Sequence, residues 1–387
     1  MATCGEGVNG RRPWAPPARF VADDEEDRRR LADLREQVCI HRTVDAVGEL
    51  LEELDEFENP RGRSESRAEI TARAGVGGDP DCYGTWFYFP WSCELVRYPS
   101  VEDLRALRSA RNRYLIEAHE QRRLERARIA VFGLSVGSVI VEQLVRVGIG
   151  AALLLGDMDR VTLTNLNRIR GSMRHVGMAK LDLIAQFVSE VDPYIEQVHL
   201  RGGYDEAADA MLEAFRPDLV IEEVDDVVAK ARLRRWAASA QVALMTVGDF
   251  GERSVLDVER YDLGPTVPFN GRLSRKTLDR LLKGSLPRAE ERRALVRIVG
   301  VRNLSVRLIR SANAVGTELG GFVQLGSTAA AGGALASVAA RSILLGEPLP
   351  SGRYVLSPRR VLRLGRQSGP RDALRVLAEL VRAGAAS

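Results

Sequence analysis

Residues 128–180 read RIAVFGLSVGSVIVEQLVRVGIGAALLLGDMDRVTLTNLNRIRGSMRHVGMAK. A short apolar run, 129–132, enters a turn marked by Gly133 and Gly137. A helical stretch follows, then a second apolar run that ends at Asp157. A strand, a glycine turn, a helix and a second strand ending in an acid make half of a nucleotide-binding α/β fold. Backbone amides at such a turn favour an anion or a close ligand edge. The loop is not an intact GxGxxG, because Ser135 and Ser138 stand where glycines are usual, so a packing turn and a ligand contact both remain open. Asp157 lies about twenty residues beyond the turn, where an acid accepts hydrogen bonds from ribose hydroxyls, and this suits ATP and NAD equally.

Outward from this stretch the alternation continues. Helices are expected at 138–147, 180–191, 206–215 and 227–239, with strands at 129–132, 152–155, 196–200, 219–222 and 242–247. That pattern predicts a Rossmann-like, mostly parallel sheet with helices on both faces. Residues 255–261 read as an added antiparallel strand. Residues 111–262 are taken as the nucleotide-binding domain and 263–387 as a C-terminal extension. In the extension, 272–293 is basic with a leucine stripe and reads as an ordered helix or a flap over the site. Residues 299–309 read as a strand or helix, 354–356 as a strand and 371–383 as a terminal helix. The Ala- and Gly-rich window 327–340 reads as a buried helix, too short to span a bilayer.

Ahead of the domain, residues 1–22 are rich in Gly and Pro and read as a flexible tail. Residues 23–110 form an N-terminal, α-rich and aromatic region. Leu31, Leu34 and Val38, then Val47, Leu50, Leu51 and Leu54, recur at helical spacing. Asn59-Pro60-Arg61 stops this helix pair, and 62–80 reads as a flexible connection. Tyr83, Trp86, Phe87, Tyr88, Phe89 and Trp91 suit a strand packed on the main domain, with a partner surface as the alternative. Residues 100–127 read as two charged helical pieces.

With 387 residues, 45% apolar and 28% charged, the chain has the composition of a globular protein of more than one domain. Its 56 basic and 53 acidic residues nearly cancel, which gives no global case for nucleic-acid binding. Without a secretory apolar segment near Met1, a cytoplasmic location and no membrane partner are expected. Cys4, Cys39, Cys82 and Cys93 are not spaced as CxxC, so no zinc is expected.

The group that separates ATP from a redox dinucleotide is Asn165, Arg168 and Lys180. A dinucleotide needs no cations just past the second strand, whereas a triphosphate does, since charge develops on the departing pyrophosphate. Arg168 offers paired donors and Lys180 a point charge. Asp159 either caps a turn or orients a neighbour. After the fourth strand, Glu222, Glu223, Asp225 and Asp226 form a cluster that repels itself without a cation. Asp225 there suits Mg²⁺, or caps the next helix. His175, alone in a loop, is given no role.

These residues carry a resemblance. GLSVGS at 133–138, DMDRVTLTNLNR at 157–168, GMAK at 177–180 and VIEEVDD at 220–226 resemble the ThiF/MoeB/E1-like adenylating enzymes over about 111–262. RNRYLIEAHEQRRL at 111–124 and LDVERYD at 256–262 are similar to a MoeY-like ThiF branch. The resemblance implies a homodimer or pseudo-dimer that activates a carboxylate with ATP and Mg²⁺, giving an acyl-adenylate and pyrophosphate. It implies a nucleotide site that includes Gly133, Ser135, Gly137, Asp157 and Asp159. Asp157 matches the ribose acid, Asn165 and Arg168 the phosphate-contacting N-L-x-R, Lys180 the phosphate lysine and Asp225 the magnesium aspartate. Arg111 or Arg113 matches an arginine that reaches across the dimer, although the spacing differs. No cysteine follows Cys93, so adenylation without a downstream thioester is expected. The carboxylate is a carrier-protein C-terminus, a peptide or a small metabolite. The alternatives are an NAD-dependent oxidoreductase, which leaves Arg168, Lys180 and Asp225 idle, and a non-catalytic scaffold.

Overall fold

The computed structural model describes residues 13–58, 80–300 and 305–364. The expected tail before residue 13, the connection at 62–79 and the terminal helix at 371–383 lie outside them.

The N-terminal region contains β1 (Ala18–Val21), α1 (Glu25–Gln37), β2 (Arg42–Asp45), α2 (Val47–Glu58), β3 (Thr85–Phe89), β4 (Glu94–Tyr98), α3 (Val101–Ser109) and α4 (Ala118–Leu124). Its four strands form a sheet in the order β1-β3-β4-β2, an element that the expectation of an α-rich, aromatic region did not include. The tail is also shorter than expected, because Ala18–Val21 pairs antiparallel with β3. Asp24 caps α1 by accepting from Asp27 N at 2.8 Å. Phe20, Leu31, Tyr88, Cys93 and Leu95 bury one face of this sheet.

The aromatic strand packs on the main domain. Phe87 meets Tyr98 and Tyr194 edge-on, with ring centres 5.5 and 5.2 Å apart. Trp91 Nε1 donates to Glu190 Oε1 at 2.8 Å, Tyr98 OH to Glu190 O at 2.8 Å, and Trp14 Nε1 to Ser189 Oγ at 3.0 Å.

The main domain begins with β5 (Arg128–Phe132), α5 (Val136–Val147), β6 (Ala152–Gly156), α6 (Lys180–Val191), β7 (Glu196–Leu200), α7 (Glu206–Phe215), β8 (Leu219–Glu222), α8 (Val227–Ala240), β9 (Ala243–Asp249) and β10 (Ser254–Glu259). It ends with α9 (Arg275–Leu282), α10 (Arg288–Val299), α11 (Val306–Ala314), α12 (Gly326–Leu345), β11 (Gly352–Leu356) and α13 (Pro358–Val361). The sheet order is β11-β10-β9-β8-β5-β6-β7. Strands β5 to β9 pair parallel, while β10 and β11 are antiparallel additions. Nearly every residue of β5, β6 and β8 is buried, because helices cover both faces. Strand order reverses at β5, with β6 on one side and β8 on the other, and this opens a crevice at the carboxyl ends of the strands.

The C-terminal extension is part of the same core. Ala336, Ala339, Ala340, Ile343 and Leu344 of α12 pack with α5 and the middle strands, and β11 completes the sheet beside β10. A boundary at residue 262 therefore cuts through one folded unit. The 20-residue α12, with mean hydropathy 1.4, is long and apolar enough by composition to cross a membrane, longer than the window 327–340 suggested. Its packing makes it a core helix. The segment read as a helix or flap is two ordered helices, α9 and α10, which bury Leu281, Ala294 and Ile298 with Val227 and Ala231 of α8.

Two glycines let α12 approach. A Cβ on Gly332 would stand 2.7 Å from Val247 Cγ1, and one on Gly333 would stand 2.8 Å from Val139 Cγ1 and 3.2 Å from Val139 O. Gly→Ala inside a helix ordinarily stabilises by about 0.5–1 kcal/mol. Here Gly333→Ala is predicted to destabilise by about 1–3 kcal/mol, because the backbones of α5 and α12 must part. A urea midpoint unchanged or raised would show that the two helices do not need this approach.

Candidate active site

The glycine turn is fixed by its backbone. Gly133 has φ +88°, and a Cβ there would collide with the carbonyl of Glu223. Its N–H donates to Gly156 O at 2.7 Å, and Glu223 N donates to Phe132 O at 2.7 Å, so the turn is stitched to both neighbouring strand ends. Gly137 serves close packing, since a Cβ would lie 3.3 Å from Val131 Cγ1. Ser135 is the N-cap of α5, yet its side chain does not cap the helix. Its Oγ accepts from Arg168 Nε at 3.1 Å. The first amides of α5 thus keep their donors for an anion.

Asp157 closes β6 and holds the turn. Its Oδ2 accepts from Leu134 N at 2.6 Å and its Oδ1 from Asp159 N at 2.7 Å. Burial pushes this carboxyl above the usual range, against the pull of the Leu134 amide and Lys180. Asp159 is the orienting residue: Lys180, buried at the start of α6, donates from Nζ to Asp159 Oδ2 at 2.8 Å. Asn165 is buried and its Oδ1 accepts from Thr162 N at 3.0 Å, so the carbonyl side of its amide shapes the loop. Arg168 is half-buried. Besides Ser135 it donates from Nη1 to Thr164 O and Asn167 Oδ1. Burial lowers its pKa, while Asp249 and Asp225 raise it. His175 accepts from Ser172 N within a short turn.

The acids after β8 separate into distinct parts. Glu222 is fully buried, and the protein supplies its cations: Lys230 Nζ at 2.7 Å and Arg234 Nη1 at 2.8 Å. Arg234 also donates to Glu259 Oε1 at 2.8 Å and lies over the Phe269 ring. The expectation that the cluster needs an added cation is corrected for Glu222. Two cations four residues apart on an otherwise buried helix face were the available signal. Glu223 accepts from Val247 N at 2.6 Å, and burial with neighbouring Glu222 holds its carboxyl well above the ordinary range. Asp226, not Asp225, caps α8, accepting from Ala229 N at 2.6 Å. Asp225 is exposed and faces Arg168.

Arg111 and Arg113 stand apart from this group in the segment before β5. Both are exposed, and Arg113 stacks 3.9 Å over the ring of Phe57. Sequence reasoning missed Asp249 at the end of β9, which also faces Arg168. It belongs to no spacing motif, so nothing in the sequence singled it out.

The ThiF family model matches residues 108–354. An uncharacterized Mycobacterium tuberculosis protein is 36% identical over 271 residues, 69% of this chain and 37% of that protein. The tRNA threonylcarbamoyladenosine dehydratase of Bacillus subtilis is 28% identical over 156 residues, 40% of this chain and 60% of that protein. The crystal structure of the Escherichia coli dehydratase in complex with AMP aligns with TM-score 0.45 at 24% identity, covering 62% of this chain and 95% of that one. The chain therefore spans less than two thirds of the length of the first two relatives.

Arg234→Met leaves Glu222 and Glu259 buried, Glu259 without its cation and Glu222 with Lys230 alone. The variant is predicted to lose about 3–5 kcal/mol of stability by urea denaturation. A loss under about 1 kcal/mol would show that the acids re-pair or protonate without penalty.

Proposed function

Because the chain belongs to the ThiF family, we propose that it is an adenylating enzyme that uses ATP to activate a carboxylate. One observation carries this reading. Arg168 reaches from the loop after β6 to the glycine turn at Ser135, with Lys180 fixed by Asp159 in the same loop and Asp225, just after β8, attracting it. Two cations, the amides of α5 and an exposed acid thus meet at the carboxyl edge of a parallel sheet. An oxidoreductase reading gives Arg168, Lys180 and Asp225 nothing to do.

In this reading the lone pairs left on Asp157 accept from the ribose hydroxyls. The α5 amides, Arg168 and Lys180 hold the phosphates. A carboxylate oxygen attacks the α-phosphate, the bond to the β-phosphate oxygen breaks, and pyrophosphate leaves. Arg168 and Lys180 stabilise the charge that builds on it. Among the described residues no group of three or more His, Cys, Asp or Glu side chains is placed to hold a metal. Magnesium fits nonetheless, because it binds through one or two carboxylates plus substrate phosphates, and Asp225 is the exposed carboxylate available. When bound it neutralises phosphate charge.

No cysteine follows Cys93 in this sequence, so the acyl-adenylate passes directly to a nucleophile. The carboxylate is on a carrier protein, a peptide or a small molecule. A tRNA-borne group joins these choices, because relatives are named as dehydratases of a tRNA nucleoside. A second copy of the chain completes the site, and the exposed Tyr114 and Leu115 beside Arg113 suit such an interface.

Thermal unfolding with and without MgATP tests the reading. A ligand at a hundredfold excess over Kd stabilises by about 2.7 kcal/mol. MgATP is predicted to raise Tm of the wild type, Asp225→Asn to weaken the shift and Lys180→Ala to abolish it. A shift with NAD⁺ alone would replace the reading with the oxidoreductase, and no shift with either would favour a scaffold.

A further inference from the structure

Asp249 has been given no part in this chemistry. Along the carboxyl edge the order is Asp157 after β6, the glycine turn after β5, Asp225 after β8 and Asp249 at the end of β9. Asp249 therefore lies one strand beyond the acid proposed for magnesium, on the side away from the ribose. Both of its carboxylate oxygens are buried and have no hydrogen-bond partner among the described residues. Three elements face it. Arg168 attracts it from the loop after β6, with no ion pair between them, and the Glu223 carboxyl approaches it from the end of β8. From α12 it meets Gly332, where a Cβ would lie 3.5 Å from Oδ1. Burial pushes its carboxyl up to about 7, against the pull of Arg168.

On the reading above, two anions must meet here. The triphosphate lies on Arg168 and Lys180, and the substrate carboxylate must enter the same crevice to attack the α-phosphate in line with the departing pyrophosphate. An ionised Asp249 would repel both across poorly solvated space. Phosphate on Arg168 would also engage the cation that favours ionisation. A neutral carboxylic acid instead carries an O–H that donates to an anionic oxygen. We propose that Asp249 works as a neutral acid in this site, taking up a proton when nucleotide docks and presenting an O–H rather than a charge to the anions that meet there. The inference rests on the adenylating reading and deepens it, since a site built this way selects an anionic acyl donor.

The sign follows from the proton taken up: nucleotide affinity is highest at low pH and falls as pH rises past neutrality. Calorimetric titration of MgATP in two buffers of different ionisation enthalpy counts the proton. Wild type is predicted to take up about half a proton at about pH 7, approaching one at about pH 8, and to lose roughly tenfold in affinity from about pH 6 to about pH 8. Asp249→Asn, isosteric and never charged, is predicted to lose that uptake and keep its affinity at the higher pH. Its Tm at about pH 8 is predicted to equal or exceed that of wild type, because a buried charge is gone. Equal uptake and equal pH slopes in both proteins would overturn the inference alone. Loss of the uptake in Glu223→Gln, with Asp249→Asn unchanged, would overturn it by moving the proton to Glu223. Failure of the wild type to bind MgATP would overturn the adenylating reading and this inference with it.

Discussion

The guanidinium of Arg234 is enclosed by protein, and the arrangement of the site depends on what surrounds it. Burial alone would drive such a group towards neutrality, but Glu259 and Glu222 outweigh that and hold it firmly charged. The two acids come from β8 and β10, strands that are not neighbours, and the cation comes from α8, which covers them. Glu259 also accepts from Tyr261 OH and Phe269 N, so the chain beyond β10 is drawn to the same point. Removing one charge leaves the others stranded in a poorly solvated place, so the network persists whole or not at all. Its effect on the edge is indirect. With Glu222 neutralised below, β8 can end in a buried acid while Glu223 ties to β9 at Val247 N and Asp225 stays exposed.

A second constraint acts on the loop between β6 and α6. The loop carries most of the polar groups of the site and is rooted in the core by Val161 and Ile169, while Met158, Leu163 and Met173 are exposed. Polar links to defined points hold the stretches between these anchors. Asp157 grips the turn amide, Lys180 grips Asp159, and Asn167 Nδ2 donates to Gln324 O at 2.8 Å just before α12. Gly326 allows the last approach, because any side chain there would strike the carbonyl of Asn167. Arg168 is therefore aimed by contacts from the sheet, the turn and the C-terminal helix together. This preorganisation suits a site that must meet developing charge without rearranging.

Much of this was legible in the sequence, for identifiable reasons. The strands β5, β6 and β8 are continuous apolar runs because both faces are buried, and the intervening helices are amphipathic and end at stops such as Asp192-Pro193. Strands β1 and β2 were not legible. Each has four residues, and Arg42–Asp45 is exposed for most of its length, so neither periodicity nor composition separates it from a loop. The site divided in the same way. Asp157, Arg168, Lys180 and Asp225 stand at spacings that carry meaning along the chain. Asp249 acquires its place only when β9 pairs beside β8, and the cap on α8 differed by one residue because neighbouring aspartates look alike in sequence.

The late return of the chain to its own centre has a consequence for how the protein is made. About ninety residues separate Glu259, the end of β10, from Gly352, the start of its edge partner β11. At about 5–20 residues per second, synthesis leaves β10 without that partner, and the middle strands without α12, for roughly five to twenty seconds. During that interval the nascent chain displays an unpaired strand edge and a broad apolar face, the features that invite aggregation. Folding of the nucleotide half is thus a closing event, gated by emergence of α12 and β11 rather than by the glycine turn that identifies it.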